Sequence, residues 1–312
     1  MSVASRYTPP EDGSHVYHYT DANALISIVK KKELWFSDIR YLNDSREGRH
    51  LSDLYFRVAT SMIAELEGEP DVRPRRYLET VLRQAQPTSI PGQPFVLCFS
   101  KKYDSLNQWV TYGKATPYCI AFDRKELEQV FPALLGHRSE FSYWASDVEY
   151  EGEIEVRKTL QERLETIRKS ADHPSDHSPG AFDTRTDWIP ESFRKMKPVG
   201  FKHRSFEAEC EYRIATLQPE LLEEGAIRSG EPGCYLDFVP GPSAIRPIVV
   251  VRLGDQLKHM IKAICVGPGP TPSLAAESVR KLLFRSGYAM LVDGKKVNVP
   301  VEESGCPYRP MR

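Results

Sequence analysis

Residues Glu209-Cys210-Glu211-Tyr212-Arg213 place two carboxylates and a guanidinium at alternate positions of a run with strand composition. In a strand, alternate side chains share a face, so Glu209, Glu211 and Arg213 point one way and Cys210, Tyr212 and Ile214 the other. A fixed carboxylate suits cleavage of an N-glycosidic bond, because positive charge develops on the ribose ring as the bond breaks and a negative group stabilises it. Arg213 would keep its neighbour ionised and oriented. The same residues also describe a half-exposed strand carrying an intrastrand Glu-Arg pair.

Other residues carry chemistry with an equally plain structural alternative. His18-Tyr19-Thr20 sets a histidine beside tyrosines, either as a ligand contact or as a satisfied strand residue. Trp109 and Tyr112 are three apart and share a face of a helical turn, so either ring can stack on a planar ligand or pack in the core. Asn43-Asp44 with Glu47 can position a ribose, but Asn-Asp-Ser ahead of a helix is also capping chemistry; we assign Asp44 to capping and leave Asn43 open. His173 and His177 have a spacing that chelates metal on a helix, yet Pro174 argues against a rigid helix there, and no metal is expected. Gly267-Pro268-Gly269-Pro270 precedes a helix, but prolines remove the donors a phosphate cradle needs, so it reads as a strand-to-helix turn.

These residues have to be positioned by alternating short strands and helices. Val16 to Thr20 reads as a strand, and Asp21 caps a helix whose Leu25, Ile28 and Val29 share a face. Leu34 to Ser37 reads as a second strand. A turn at Asn43 to Ser45 leads into a long helix with Leu51, Leu54, Tyr55, Val58, Met62 and Leu66 in one stripe, and Tyr77 to Ala85 forms a further helix. Phe95 to Phe99 is a buried strand, followed by a short helix with Trp109 and Tyr112 and a strand at Tyr118 to Phe122. Strands are expected at Cys210 to Ala215, Cys234 to Phe238, Ile248 to Arg252 and Ala263 to Val266, with a last helix over Leu274 to Ser286. The simplest architecture is one α+β domain over residues 1–312, with a helical and loop insertion at 151–190 and a loosely held tail after Pro300.

Composition bounds what this domain can do. The chain has 312 residues, 40% hydrophobic and 27% charged, and its 42 basic and 43 acidic residues leave a net charge of −1. No global pull toward nucleic acid follows from such a balance, so a polyanion would have to be held by one face. The six cysteines lack a paired short spacing and read as buried thiols of a reducing compartment. No window approaches the roughly 20 apolar residues that span a bilayer, and no secretory leader is apparent at the start. We therefore expect a cytoplasmic protein with no membrane partner.

Taken in order, the segments resemble a bacterial domain-of-unknown-function family, numbered twenty-nine seventy-one. The resemblance rests on His18-Tyr19-Thr20, on Leu34-Trp35-Phe36-Ser37 with Asn43-Asp44 and Glu47, and on Cys98-Phe99-Ser100 with Trp109 and Tyr112. It continues through Tyr118 to Phe122, Lys202 with Phe206, Glu209, Glu211 and Arg213, and ends at Val266-Gly267-Pro268. That family is similar to ADP-ribosyltransferases of the histidine-tyrosine-glutamate type, which implies a split β-sheet core, NAD as substrate and a macromolecular acceptor, protein or nucleic acid.

The resemblance also implies roles. His18 would hydrogen-bond a ribose hydroxyl of NAD with Thr20 beside it, Tyr112 would stack near nicotinamide, and Glu211 would hold the nicotinamide ribose and stabilise its oxocarbenium-like state. Glu209 would orient the acceptor or exchange roles with Glu211, while Tyr19, Ser37, Asn43, Ser100, Trp109 and Arg213 would complete the NAD site. The sequence departs from those transferases in having Tyr19 where a small residue often follows the histidine, and a large insertion before the glutamates. Tyr41 competes with Tyr112 for the central tyrosine. The implied activity is NAD-dependent ADP-ribosyl transfer, with bacterial defence or toxicity as its setting by analogy; the alternatives are an NAD glycohydrolase and a non-catalytic nucleotide- or protein-binding module.

Overall fold

The computed structural model describes residues 7–43, 50–84, 94–112, 117–135, 143–150, 152–169, 198–216, 231–241, 244–292 and 295–308. In chain order the elements are β1 (His15–Asp21), α1 (Ala22–Lys31), β2 (Glu33–Asp38), α2 (His50–Glu65), α3 (Val72–Gln84), β3 (Phe95–Ser100), α4 (Leu106–Tyr112), β4 (Pro117–Asp123), α5 (Arg124–Leu134), β5 (Tyr143–Asp147) and β6 (Glu149–Tyr150). They continue with α6 (Glu153–Lys169), β7 (Phe201–Lys202), β8 (Glu211–Thr216), β9 (Gly233–Pro240), β10 (Ile245–Arg252), α7 (Leu257–Met260), β11 (Ile261–Val266), α8 (Pro272–Arg285), β12 (Ala289–Val292), β13 (Lys295–Asn298) and β14 (Val301–Glu303). This is a mixed α+β fold on a mostly antiparallel sheet. None of the described helices is long and apolar enough to cross a membrane.

The chain divides into two compact units, one of Met1–Tyr41, Pro94–Asp147 and Phe206–Arg312, the other of Leu42–Gln93 and Val148–Ser205. The second unit therefore draws on two segments, where the sequence pointed to a single insertion at 151–190. Its helices α2, α3 and α6 share a core of Leu51, Leu54, Tyr55, Leu78, Val156 and Leu160 with Phe201 of β7. The helical part of the insertion expected at 151–190 is α6, whose Val156, Leu160, Leu164 and Ile167 are buried at helical spacing. His173, His177, Asp44, Ser45 and Glu47 lie outside the described residues.

The first unit holds a ten-stranded sheet with the main order β14-β11-β4-β1-β3-β2-β10-β9, to which β8 and β5 are added beside β3. β8 pairs with β3 along its whole length, from Phe95↔Thr216 to Ser100↔Glu211. The opposite edge of β3 is shared. β2 holds its start, through Ser37↔Val96 and Asp38↔Phe95, and β1 holds its end, through Tyr17↔Ser100. The sheet thus opens between β1 and β2 alongside Leu97 to Phe99. One face packs a large core that includes Val16, Phe36, Phe99, Phe122 and Tyr212; on the other, Tyr17, Tyr19, Trp109, Cys119 and Cys265 form a second cluster.

Local rules explain most elements. Asp21 accepts a hydrogen bond from the Ala24 amide and caps α1, which ends on left-handed Lys32. α5 was not expected from the sequence, although Asp123 caps it by accepting from the Glu126 amide. The chain after Pro300, expected to be loose, is instead an edge strand: Val301, Glu302 and Glu303 pair in parallel with Ile264, Cys265 and Val266. Asp104 ties the residues beyond it, accepting from the Gly305 amide at 2.8 Å and from the Ser304 hydroxyl. All six cysteines are free thiols, with Cys119, Cys234 and Cys265 buried and Cys98, Cys210 and Cys306 half-buried.

The turn after β11 gives a first prediction. A β-carbon on Gly267 would lie 2.6 Å from Pro117 Cγ and 2.8 Å from Trp109 Cε3, whereas Gly269 has nothing nearer than 4.0 Å. Two rigid rings cannot yield cheaply, so Gly267→Ala is expected to cost about 1–3 kcal/mol by overpacking. Urea denaturation should show that loss for Gly267→Ala and a much smaller one for Gly269→Ala.

Candidate functional site

The polar site is built on the face of β3 and β8 opposite the large core. Tyr212 and Ile214 of β8 pack in that core with Phe99 and Leu97 opposite them, so Glu211 and Arg213 face the other way, beside Ser100 and Cys98. Arg213 is fully buried and Glu211 is 5% exposed. They meet as a fork: Nε donates to Oε1 at 2.7 Å and Nη2 to Oε2 at 2.9 Å. The intrastrand Glu-Arg pair of the structural alternative is present between Glu211 and Arg213, but it is buried rather than half-exposed.

Glu209 does not lie on the strand. It ends a 3-10 turn at Arg204–Glu209, and Cys210, with φ of 45°, reverses the chain into β8. The Glu209 carbonyl accepts two side-chain hydrogen bonds, from Ser100 Oγ at 2.7 Å and Gln108 Nε2 at 3.1 Å. Its carboxylate accepts from the Tyr112 hydroxyl at 3.3 Å. Gln108 was not among the residues singled out from the sequence; its place one helical turn before Tyr112 is the signal that pairs them.

The expected aromatic residues separate by role. Trp109 is buried, with its ring edge-on to Tyr19 at 4.7 Å and its Nε1 donating to Asp104 at 2.8 Å, which is the core-packing alternative. The Tyr19 hydroxyl donates to the Lys102 carbonyl at 2.8 Å and accepts from the Ser105 amide at 2.9 Å, so this tyrosine pins the loop between β3 and α4. Burial raises its pKa and keeps the hydroxyl protonated. Tyr112 is half-buried and within reach of Glu209, while Tyr41 is exposed. The Tyr41 ring lies under the Arg40 guanidinium, which is 6.0 Å from the ring centroid.

His18 lies at the opening of the sheet. Its Nδ1 donates to the Cys98 carbonyl at 3.0 Å, and its ring meets Phe99 edge-on. A carbonyl only accepts, so this bond fixes Nδ1 as the protonated nitrogen of the neutral ring and leaves Nε2 as an acceptor. Alternation and register place His18 with Ile120 and Phe99 on the large-core face, whereas Glu211 lies on the face of Ser100 and Tyr17. Thr20 is buried and Ser37 half-buried, and Asn43 is exposed in the other unit. The site thus gathers Glu209, Glu211, Arg213, Ser100 and Tyr112, and holds His18 across β3 from them.

Burial lowers the pKa of His18 below its ordinary value of 6.5, against a smaller raising effect from the Cys98 carbonyl. The unfolded chain therefore binds a proton near pH 6.5 that the folded chain refuses, so stability is fully present above that pH and falls as pH drops below it. Urea unfolding at pH 7.5 and 5.5 should show a smaller acid loss in His18→Gln than in the wild type.

Fold and site together define an α+β protein built on a mostly antiparallel sheet with a buried carboxylate-guanidinium pair. Over residues 108–214 the chain is similar to the family described as Protein of unknown function (DUF2971). The matched segment contains Gln108, Trp109, Tyr112, Glu209, Glu211 and Arg213, and supports the family expected from the sequence. No curated protein and no solved structure matches the chain.

Proposed function

We propose that the chain is an NAD-dependent ADP-ribosyltransferase of the split-sheet type, acting on a macromolecule, with Glu211 as the carboxylate that opposes charge on the ribose. The observation that carries this reading is the Arg213–Glu211 fork. A guanidinium fork keeps a carboxylate withdrawn from water ionised and fixed in direction, and a carboxylate oriented in advance can oppose developing positive charge where the dielectric is low. In the proposed reaction the bond from the nicotinamide nitrogen to the ribose C1 breaks and nicotinamide leaves as a neutral base with the bonding electrons. An acceptor nucleophile then bonds to C1 and gives up its proton.

The donor and acceptor set fits such a substrate. His18 Nε2 suits a ribose hydroxyl, with Thr20 two residues along the same face of β1. Because His18 and Glu211 lie on opposite faces, the reading requires NAD to occupy the opening between β1 and β2, where His18 already reaches β3. Ser37 and Ser100 stand at the two ends of this opening, Tyr112 reaches Glu209, and Glu209 would orient the acceptor or exchange roles with Glu211. Purified protein should be incubated with NAD and cell extract while nicotinamide release and label transfer are followed in wild type, Glu211→Gln and Glu209→Gln. Glutamate-dependent macromolecular label supports the transferase. Free ADP-ribose without label identifies a glycohydrolase, and full activity in both variants overturns the assignment.

A further inference from the structure

Helix α4 grips Glu209 at two points. Gln108 and Tyr112 are four residues apart and lie on one side of the helix; Gln108 donates to the Glu209 carbonyl and Tyr112 to its carboxylate. We propose that Gln108 is a positioning residue that, together with Ser100, fixes the Glu209–Cys210 peptide and so sets where both glutamate carboxylates point. The proposal rests on the NAD-cleaving role of those glutamates.

Three observations carry it. The amide of Gln108 and the hydroxyl of Ser100 are each more than nine-tenths buried, and both are spent on one backbone carbonyl. A carbonyl has two lone pairs, so this one is saturated by side chains from two different elements. The residue that follows, Cys210, has a left-handed backbone that a side chain bearing a β-carbon adopts only when its surroundings enforce it. The enforcing bonds lie on both sides of it: the Cys210 amide donates to the Glu207 carbonyl at 3.0 Å, and the Cys210 carbonyl accepts from the Lys101 amide at 2.8 Å.

The consequence is geometric. Ser100 both anchors the Glu209 carbonyl and pairs with Glu211 in the β3–β8 ladder, so the turn between the two glutamates is registered on β3 at one residue. Gln108 supplies the second anchor from α4. Without it the peptide can rotate, Glu209 moves off Tyr112, and the entry of Glu211 into β8 loses its fixed direction. A misplacement of about 1 Å at a reacting group can cost on the order of a hundredfold in rate.

The test uses the full chain with Gln108→Leu, which keeps volume and removes the donor, and Gln108→Glu. In Gln108→Leu the turnover number for NAD should fall about tenfold to a hundredfold while KM stays within about threefold, because orientation rather than binding is lost. Gln108→Glu should be as poor at neutral pH and recover as pH is lowered, when a protonated carboxyl can donate to the carbonyl in place of the amide. A role in stability alone would produce neither the split between the two constants nor the acid rescue. Hydrogen exchange is read in parallel: the Lys101 and Cys210 amides should exchange about tenfold faster in Gln108→Leu, the size expected for one lost hydrogen bond. Unchanged exchange with unchanged turnover overturns the proposal. A wild type that consumes no NAD overturns the transferase reading instead, and the exchange of the two amides still decides whether Gln108 holds the turn.

Discussion

Replacing Arg213 with alanine is expected to destabilise the protein by about 3–5 kcal/mol, the range for breaking a buried ion pair from one side. Arg213 is the largest fully buried side chain among the described residues, and its guanidinium is matched to a carboxylate that is itself 5% exposed. Removing it leaves a large void and an uncompensated buried charge, two penalties of the same sign. The double variant Glu211→Leu with Arg213→Met removes both charges and retains apolar volume, so it should recover most of the loss. Chemical denaturation of the two variants separates the outcomes. If Arg213→Ala unfolds within about 1 kcal/mol of the wild type, the pair is not closed from water in solution, and the argument for a preorganised charge goes with it.

How much of this site could be read from the sequence depended on which force set each residue. Strand alternation placed Glu211 and Arg213 on one face, because period two holds wherever a ladder forms. It misplaced Glu209, since the left-handed Cys210 ends the strand rule one residue earlier, and a non-glycine residue with positive φ carries no mark in the sequence. The stripes of α2 and the cap of α1 were legible because burial and capping act within a few residues. Burial of the Arg213–Glu211 pair, by contrast, depends on β3 and β5, which flank β8 and arrive from elsewhere in the chain. α5 was missed although Asp123 followed three residues later by Glu126 is a helix-start pattern. β14 was missed because three residues after a proline give no periodicity, and its pairing with β11 is long-range. Tyr19, where the transferases that the chain resembles often have a small residue, belongs to the opposite face from His18 and holds the loop after β3, so its size answers to packing there.

If the chain is the transferase proposed above, Glu211→Gln should lower nicotinamide release by about a hundredfold or more, the scale on which a single preorganised electrostatic group acts in a transition state. Glutamine keeps the shape and the ability to accept one hydrogen bond but brings no charge, so it tests the charge and not the space. KM for NAD should change only a few-fold, because the ribose acquires its positive charge in the transition state and not in the bound substrate. Glu209→Gln makes a different prediction. Its carboxylate sits at the Tyr112 hydroxyl rather than in the Arg213 fork, so if it orients the acceptor, label transfer should drop more than nicotinamide release does and free ADP-ribose should rise. Thermal melts of both variants must accompany the kinetics, since Glu211→Gln also leaves the Arg213 guanidinium without its charged partner. A folded Glu211→Gln that releases nicotinamide at the wild-type rate would remove the catalytic role of this carboxylate and leave the ion pair as a structural element of a binding protein.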